Sequence, residues 1–202
     1  MGGRFEDLNK IPQVPAARIM AQTNLSLETE LEGPASAGVS QVLAELGGRE
    51  AVTAKVDMLK VMAASLPPRE LTWWACLAGR DVIGQEATPP ATLAAAEAWV
   101  FRPSEETREA AFRASEAAGP RDNTSLCALL AVYADGTLGP GDLKEFPAPE
   151  GGAAAIAFGM NVMAIDARGG DFTEAADLML DRALDIARGG NGHVEQKNGE
   201  DE

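Results

Sequence analysis

The chain has 202 residues and carries a formal net charge of -14 at pH 7. Such a charge repels a phosphate backbone, whose binding depends on clustered lysine and arginine, so we expect no nucleic-acid partner. Hydrophobic residues make up 46% of the chain and aromatic residues only 5%, a composition that favours one globular domain of closely packed small side chains.

The sequence shows no targeting or membrane segment. Residues 1–6 lack the apolar stretch of a secretory signal. The most apolar segment, residues 153–167, is shorter than the roughly 20 residues that a membrane span needs. Cys76 and Cys127 have no metal-type spacing around them and are expected to be reduced core residues. These features predict a cytoplasmic protein with no membrane partner.

The first third of the chain alternates between irregular segments and helices. Prolines and glycines interrupt its start, and we expect residues 1–14 to form a flexible arm. Short helices are predicted at 16–21 and 36–46. Residues 50–66 carry an apolar stripe at helical spacing until Pro67-Pro68 forbids continuation, which predicts a longer helix there.

Two adjacent tryptophans, Trp73 and Trp74, mark the next helix, predicted at 69–82. Neighbouring helix positions point about 100° apart, so adjacent indoles are buried together only when a helix is covered on more than one side. This helix is therefore predicted to be the buried centre of the domain.

The following segments also read as helices. A proline at the first turn predicts a helix at 91–101, and Ser104 as a cap predicts another at 105–118. An apolar run predicts a further helix at 124–133. Residues 137–152 hold three prolines and four glycines and are predicted to form one long loop. Loops of this length are uncommon in compact domains and are often functional.

Two helices and a tail complete the chain. An apolar segment predicts a helix at 153–167, and a capping box at 171–174 opens a last helix that ends at Gly189-Gly190. Residues 190–202 are polar and acidic, and we expect them to be a disordered tail. No segment shows the alternation of a strand. We therefore predict an all-α fold: a single compact helical domain at 15–189, with about seven helices, a long Pro/Gly loop and flexible termini.

Four carboxylates recur along the last helix. Spacings of three, four and four residues place them on one face, here named the acidic ridge: Glu174, Asp177, Asp181 and Asp185. Like charges at this spacing cost roughly a few tenths of a kcal/mol per pair unless a cation offsets them. The ridge is the predicted partner-binding site, suited to a basic protein surface. The alternative interpretation is a solvated face of an acidic protein.

Residues for catalysis or cofactor binding are sparse. The one histidine, His193, falls in the predicted tail, which leaves no usual general base for a nucleophile and no common zinc ligand. No glycine-rich phosphate loop occurs, and residues 135–137 lack the ligands of a calcium loop. For Glu70, an ion pair with Arg69 or Arg80 is a better interpretation than catalysis. We assign no catalytic residue, no cofactor and no metal.

Trp99 and Phe101 lie just before Pro103. One interpretation is an exposed aromatic anchor for a partner, since tryptophan is enriched at binding hot spots. The favoured interpretation is core packing against Trp73 or Trp74, because large aromatic side chains dominate a core of small residues.

Five motifs give the chain a recognisable pattern: Leu66-Pro67-Pro68-Arg69-Glu70, Trp73-Trp74-Ala75-Cys76, Ala95 to Val100 before Arg102-Pro103, Arg108 with Ala110-Ala111, and Gly136-Thr137-Leu138-Gly139-Pro140. In these motifs the chain resembles a family of uncharacterised bacterial proteins, a domain of unknown function found near type VI secretion genes in some genomes. The likeness covers roughly residues 15–187. The chain departs from it at the last motif, where relatives are richer in serine and glycine. The resemblance implies a cytoplasmic accessory protein and supplies no catalytic residue.

These observations lead to one expected function and two alternatives. The leading hypothesis is a non-enzymatic protein-interaction module, an adaptor or chaperone in a secretion-related locus, that docks through helix faces and the 137–152 loop. The first alternative is an immunity-type inhibitor whose acidic ridge masks a basic toxin. The second is a carboxylate-dependent enzyme, which requires a concave pocket lined by at least two close Asp or Glu residues.

Overall fold

The computed structural model describes residues 3–85 and 87–194, and in that part of the chain it contains nine α-helices and one 3-10 helix. They are, in chain order, α1 (Ala16–Gln22), α2 (Val39–Gly47), α3 (Val52–Ser65), α4 (Pro68–Ile83), α5 (Ala91–Phe101), α6 (Glu105–Glu116), α7 (Ser125–Tyr133), the 3-10 helix (Gly141–Glu145), α8 (Gly152–Arg168) and α9 (Phe172–Arg188). The same residues form two isolated β-bridges and no strand. The all-α prediction is confirmed. The predicted count of about seven is too low, although each of the nine α-helices overlaps a segment that was individually predicted to be helical.

Helix α4 lies at the centre of the domain, in agreement with the prediction from the tryptophan pair. It packs against α5, α7, α8 and α9. Trp74 is fully buried, and its indole Nε1 donates a hydrogen bond to the backbone carbonyl of Met179 on α9 over 2.9 Å. Pro68 begins the helix without loss of a hydrogen bond, because the first amides of a helix have no internal acceptor. Trp73 is only half-buried, so the two indoles have different environments.

Helices α8 and α9 are the longest, with 17 residues each. Helix α8 packs on α4, and α9 packs on α3 and α8. None of the helices that the structure describes is both long and apolar enough to cross a bilayer.

The two cysteines are core residues, as predicted. Cys76 on α4 and Cys127 on α7 are fully buried and free. The Sγ of Cys127 donates to the backbone carbonyl of Ala75 over 3.4 Å. Burial raises the pKa of the Cys76 thiol well above its usual range, because a thiolate would lose its hydration there.

The N-terminal arm, which we expected to be flexible, packs against α9 over residues 3–14. Leu8 and Ile11 are buried. The backbone amide of Lys10 donates to the carbonyl of Ala187 over 2.8 Å. The described part of the arm therefore belongs to the packed domain.

Asp57 on α3 fastens the irregular segment that joins α1 to α2. Its carboxylate is fully buried, and Oδ2 accepts hydrogen bonds from the backbone amides of Glu28 and Thr29 over 3.0 Å and 2.8 Å. Lys60 donates to Oδ1 over 3.2 Å. Burial alone would raise the pKa of Asp57, but these donors outweigh it and the pKa is lowered. The segment is thus held by a charged carboxylate.

The 137–152 loop is ordered and folds back on itself. The backbone amide of Leu138 donates to the carbonyl of Phe146 over 2.9 Å. Arg108 on α6 is nearly buried, and it donates to Thr137 Oγ1 over 2.7 Å. The segment predicted as one long loop therefore contains the 3-10 helix and is bonded to α6 through Arg108.

Candidate functional site

Half of the acidic ridge is paired with cations of this chain. Asp177 contacts Lys55 of α3 at 2.5 Å and Arg4 of the arm at 2.9 Å. Arg4 also contacts Asp181 at 2.9 Å. Burial raises the pKa of Asp177, but the hydrogen bonds from Lys55 and Arg4 outweigh it, so that the pKa lies below its usual range. These two carboxylates hold the arm and α3 against α9.

The remaining ridge residues differ from each other. The Oδ2 of Asp185 accepts a hydrogen bond from the backbone amide of Gly192 over 2.8 Å. Glu174 is exposed and forms no ion pair within residues 3–85 and 87–194. The structure thus leaves one ridge carboxylate without an internal contact, and partner binding through the ridge stays a prediction.

A surface cleft opens where the end of α5 meets α4, and we name it the aromatic cleft. Its aromatic wall is formed by Trp73 and Phe101, whose ring centroids are 5.5 Å apart at an interplanar angle of 59°. Phe101 is 70% exposed. The cleft has a volume of about 280 Å³, and its other lining residues include Lys10, Arg69, Glu70 and Asn191.

Local contacts fix the position of the two rings. Phe101 is the last residue of α5. Arg69, in the first turn of α4, donates from Nε to the backbone carbonyl of Val100 over 2.7 Å. The carbonyl of Val100 lies in the last turn of α5, where the helix offers it no amide donor, and Arg69 supplies that donor. This bond also fixes the end of α5, and with it Phe101, beside Trp73.

Glu70 is a structural carboxylate of this cleft. It pairs with Lys10 of the arm at 3.3 Å, whereas we predicted a pair with Arg69 or Arg80. Arg80 instead pairs with Glu97 of α5 at 2.6 Å. The partner differs because the arm folds onto α4, which helical spacing alone does not indicate.

The beginning of the predicted disordered tail is part of the site. Trp73 Nε1 donates to the backbone carbonyl of Asn191 over 2.7 Å, and Gly192 is buried. The ring of His193 meets the edge of the Trp73 ring at a centroid distance of 6.1 Å. Residues 190–194 therefore pack against α4 and α9, and the rest of the predicted tail, residues 195–202, lies outside the described residues.

The structure separates Trp99 from Phe101. Trp99 is buried in a small second core with Val100 and Ala111, so the predicted core packing of Trp99 is confirmed. Phe101 has the exposed position that we considered for an aromatic anchor. From the sequence, both tryptophans are predicted to lie in the buried centre, but Trp73 is only half-buried. Its position, about 100° around the helix from the buried Trp74, is the signal in the sequence that its ring points in another direction.

The described residues offer little for metal or carboxylate chemistry. No group of three or more His, Cys, Asp or Glu side chains in that part of the chain could hold a metal ion. Four clefts in the described part of the chain are each lined by at most one carboxylate.

The fold and the cleft together define a small all-α domain with a surface site built around two aromatic rings. Residues 43–187 match the Family of unknown function (DUF6931), and the chain belongs to this family. The match includes Trp73 and Phe101 and ends before Asn191. No curated protein and no solved structure matches the chain.

Proposed function

We propose that this protein is a cytoplasmic, non-enzymatic interaction module, an adaptor or chaperone in a secretion-related locus, that docks another protein in the aromatic cleft. The exposure of Phe101 beside Trp73 carries this proposal. An aromatic ring that is 70% exposed leaves a large apolar area in water. Aromatic side chains that become buried in a partner's pocket are among the residues that supply most of the binding free energy at protein interfaces.

The partner that fits is a basic protein with one protruding apolar side chain. The cleft volume of about 280 Å³ accommodates a side chain of that kind beside the two rings. The net charge of -14 attracts a basic surface over a long range and raises its association rate. Insertion of the apolar side chain supplies the affinity, and the acidic surface raises the rate at which the basic partner associates.

The internal pairing of the ridge favours the cleft over the ridge as the docking site. An inhibitor that masks a basic toxin with Asp177 and Asp181 would have to displace Arg4, or leave its charge between them. A charge pair across an interface contributes less binding free energy when its carboxylate is already paired with a cation of its own chain. This observation supports the interaction module above the immunity-type inhibitor.

The test is a comparative affinity capture from native lysate. The wild-type chain, Phe101→Ser and Val162→Ser are used in parallel, since Val162 on α8 is an exposed apolar residue outside the cleft. We expect one stoichiometric protein that is retained by wild type and Val162→Ser and lost by Phe101→Ser. With that protein purified, Phe101→Ser should bind at least about tenfold more weakly, and salt should slow association.

Two outcomes would contradict the proposal. One is the absence of any stoichiometric partner. The other is equal binding by wild type and Phe101→Ser, with the loss of binding found instead for Glu174→Gln combined with Asp181→Asn. The second outcome would transfer the function to the acidic ridge and to the inhibitor hypothesis.

A further inference from the structure

A second cleft lies on the other side of residues 191–194, and we name it the arginine cleft. It has a volume of about 510 Å³, and its lining includes Asp81, Gln85, Arg168, Arg182, His193 and Val194. We propose that this cleft binds a small molecule through an oxyanion group, a carboxylate or a phosphate.

Asp81 of α4 organises the floor of the arginine cleft. Its side chain is 2% exposed, and Oδ2 accepts from Arg182 Nη1 of α9 over 2.6 Å. Oδ1 accepts from Arg182 Nη2 over 3.3 Å and from Gln85 Nε2 over 2.6 Å. Both oxygens of Asp81 are therefore occupied, and the carboxylate holds the Arg182 guanidinium in a fixed orientation.

Arg168 has more donors than the described residues use. It is the last residue of α8, and its side chain is 28% exposed. Its Nη1 lies 3.6 Å from Asp81 Oδ2, which is an ion pair but too long for a hydrogen bond. Within residues 3–85 and 87–194 its guanidinium makes no hydrogen bond. A guanidinium presents five N–H donors, so Arg168 has donors available for a bidentate contact with an oxyanion.

The local charge is opposite to that of the whole molecule. Arg168 and Arg182 outnumber the single lining carboxylate, Asp81, in a chain whose net charge is -14. An anion is therefore attracted to this cleft although the whole chain is acidic. Leu77 and Leu178 form apolar walls beside the two guanidinium groups. Five of the eight lining residues are polar or charged, and convergent polar groups of this kind fix the orientation of a bound small molecule.

Residues 191–194 bring the arginine cleft next to Trp73, whose fluorescence can be measured. The ring of His193 lines the arginine cleft and also meets Trp73. A ligand that displaces His193 would change the surroundings of the Trp73 indole. Of the three tryptophans, Trp73 is the one whose ring meets His193 in the described structure, so a change in fluorescence on binding is expected to come from Trp73.

The experiment uses the full chain with two defined probes, citrate and inorganic phosphate, each titrated by calorimetry and by tryptophan fluorescence at constant ionic strength. Sodium chloride serves as the blank. The deciding variant is Arg168→Gln, since Arg168 is partly exposed and makes only the long ion pair. The control is Arg113→Gln, because Arg113 also forms a single 3.6 Å pair, with Glu109, away from the cleft.

We expect saturable one-site binding of at least one probe, weakened at least about tenfold by Arg168→Gln and changed less than about twofold by Arg113→Gln. Citrate alone would identify a carboxylate ligand, and phosphate alone would identify a phosphate ligand. The inference is overturned if neither probe binds with saturation, or if Arg168→Gln binds as well as wild type. Neither result depends on the protein partner proposed for the aromatic cleft.

Discussion

The indole Nε1 of Trp73 donates a hydrogen bond to the backbone carbonyl of Asn191, which lies 118 residues later in the chain, over 2.7 Å. This bond fixes the chain that leaves α9 against α4. Because His193 then meets the Trp73 ring, residues 191–194 form the wall between the aromatic cleft and the arginine cleft. One half-buried indole thus contributes to both clefts.

Trp73→Phe is expected to loosen this wall without unfolding the domain. The substitution removes the indole N–H and keeps an aromatic ring, so the free energy of unfolding should fall by about 1 kcal/mol. Hydrogen exchange at the Gly192 amide, which is bonded to Asp185, should accelerate. Trp99→Phe shrinks a tryptophan that does not donate to Asn191, and it should leave the exchange of Gly192 unchanged. Equal exchange in wild type and Trp73→Phe would show that the bond does not hold the segment.

Trp74→Ala is expected to be among the most damaging single substitutions. Trp74 is fully buried and bonded to Met179, and large-to-small changes of this kind cost about 3–5 kcal/mol. Urea denaturation followed by circular dichroism measures the loss. Val162→Ala, on an exposed position of α8, serves as the control and should stay within about 0.5 kcal/mol of wild type. A Trp74→Ala protein as stable as wild type would contradict the central position of α4.

The helices could be predicted from the sequence because their signals are local. The proline pair before α4, the capping residue Ser104 and the capping Asp171 each specify a boundary through the backbone groups next to them. The paths of residues 3–14 and 190–194 could not be predicted. They are held by individual long-range contacts, such as those of Arg4 with Asp177 and of Trp73 with Asn191, which leave no period in the sequence.

Gly151 in the 137–152 loop should not tolerate a side chain. Its φ is +69°, which disfavours any residue with a Cβ, and an added Cβ would collide with the backbone carbonyl of Thr23. Gly151→Ala should therefore lower the free energy of unfolding by about 3 kcal/mol. Gly136 is the matched control, with a φ of +82° and open space around the Cβ position. Gly136→Ala should cost only about 1 kcal/mol. Equal costs in urea denaturation would mean that Gly151 and Thr23 are not in contact.

Asp57 should make the domain sensitive to acid. Its pKa is below its ordinary value of 3.8, so the folded state binds this proton less readily than the unfolded state does. The stabilisation is fully present above that ordinary value and is lost as the pH falls through the lowered pKa. Asp57→Asn should lower the free energy of unfolding at pH 7 by about 1–3 kcal/mol.

The same variant should also flatten the pH dependence. Unfolding free energies measured by urea at pH 7, 5 and 3 should decrease less steeply for Asp57→Asn than for wild type. Asp142→Asn, at an exposed position of the 3-10 helix, should follow the wild-type curve. If the unfolding free energy of Asp57→Asn fell with pH as steeply as that of wild type, other carboxylates would account for the acid sensitivity.

The site was less predictable than the fold. The spacing of the ridge carboxylates placed them correctly on α9, but Arg4 and Lys55 reach them from other elements, and no pattern in the sequence relates these residues. The same holds for the arginine cleft, where Asp81, Arg168 and Arg182 come from three helices. Helical periodicity indicates which residues share a face, and only tertiary packing shows which faces meet.

Because Cys76 and Cys127 are buried, the rate at which their thiols react reports how often the native protein opens. Both thiols are shielded by α4 and α7, so iodoacetamide can label them only when these helices separate. At high reagent concentration the labelling rate becomes the rate of that separation. Mass spectrometry can therefore time the opening of the unmodified protein in water, without denaturant, dye or mutation, and can compare it before and after a ligand is added.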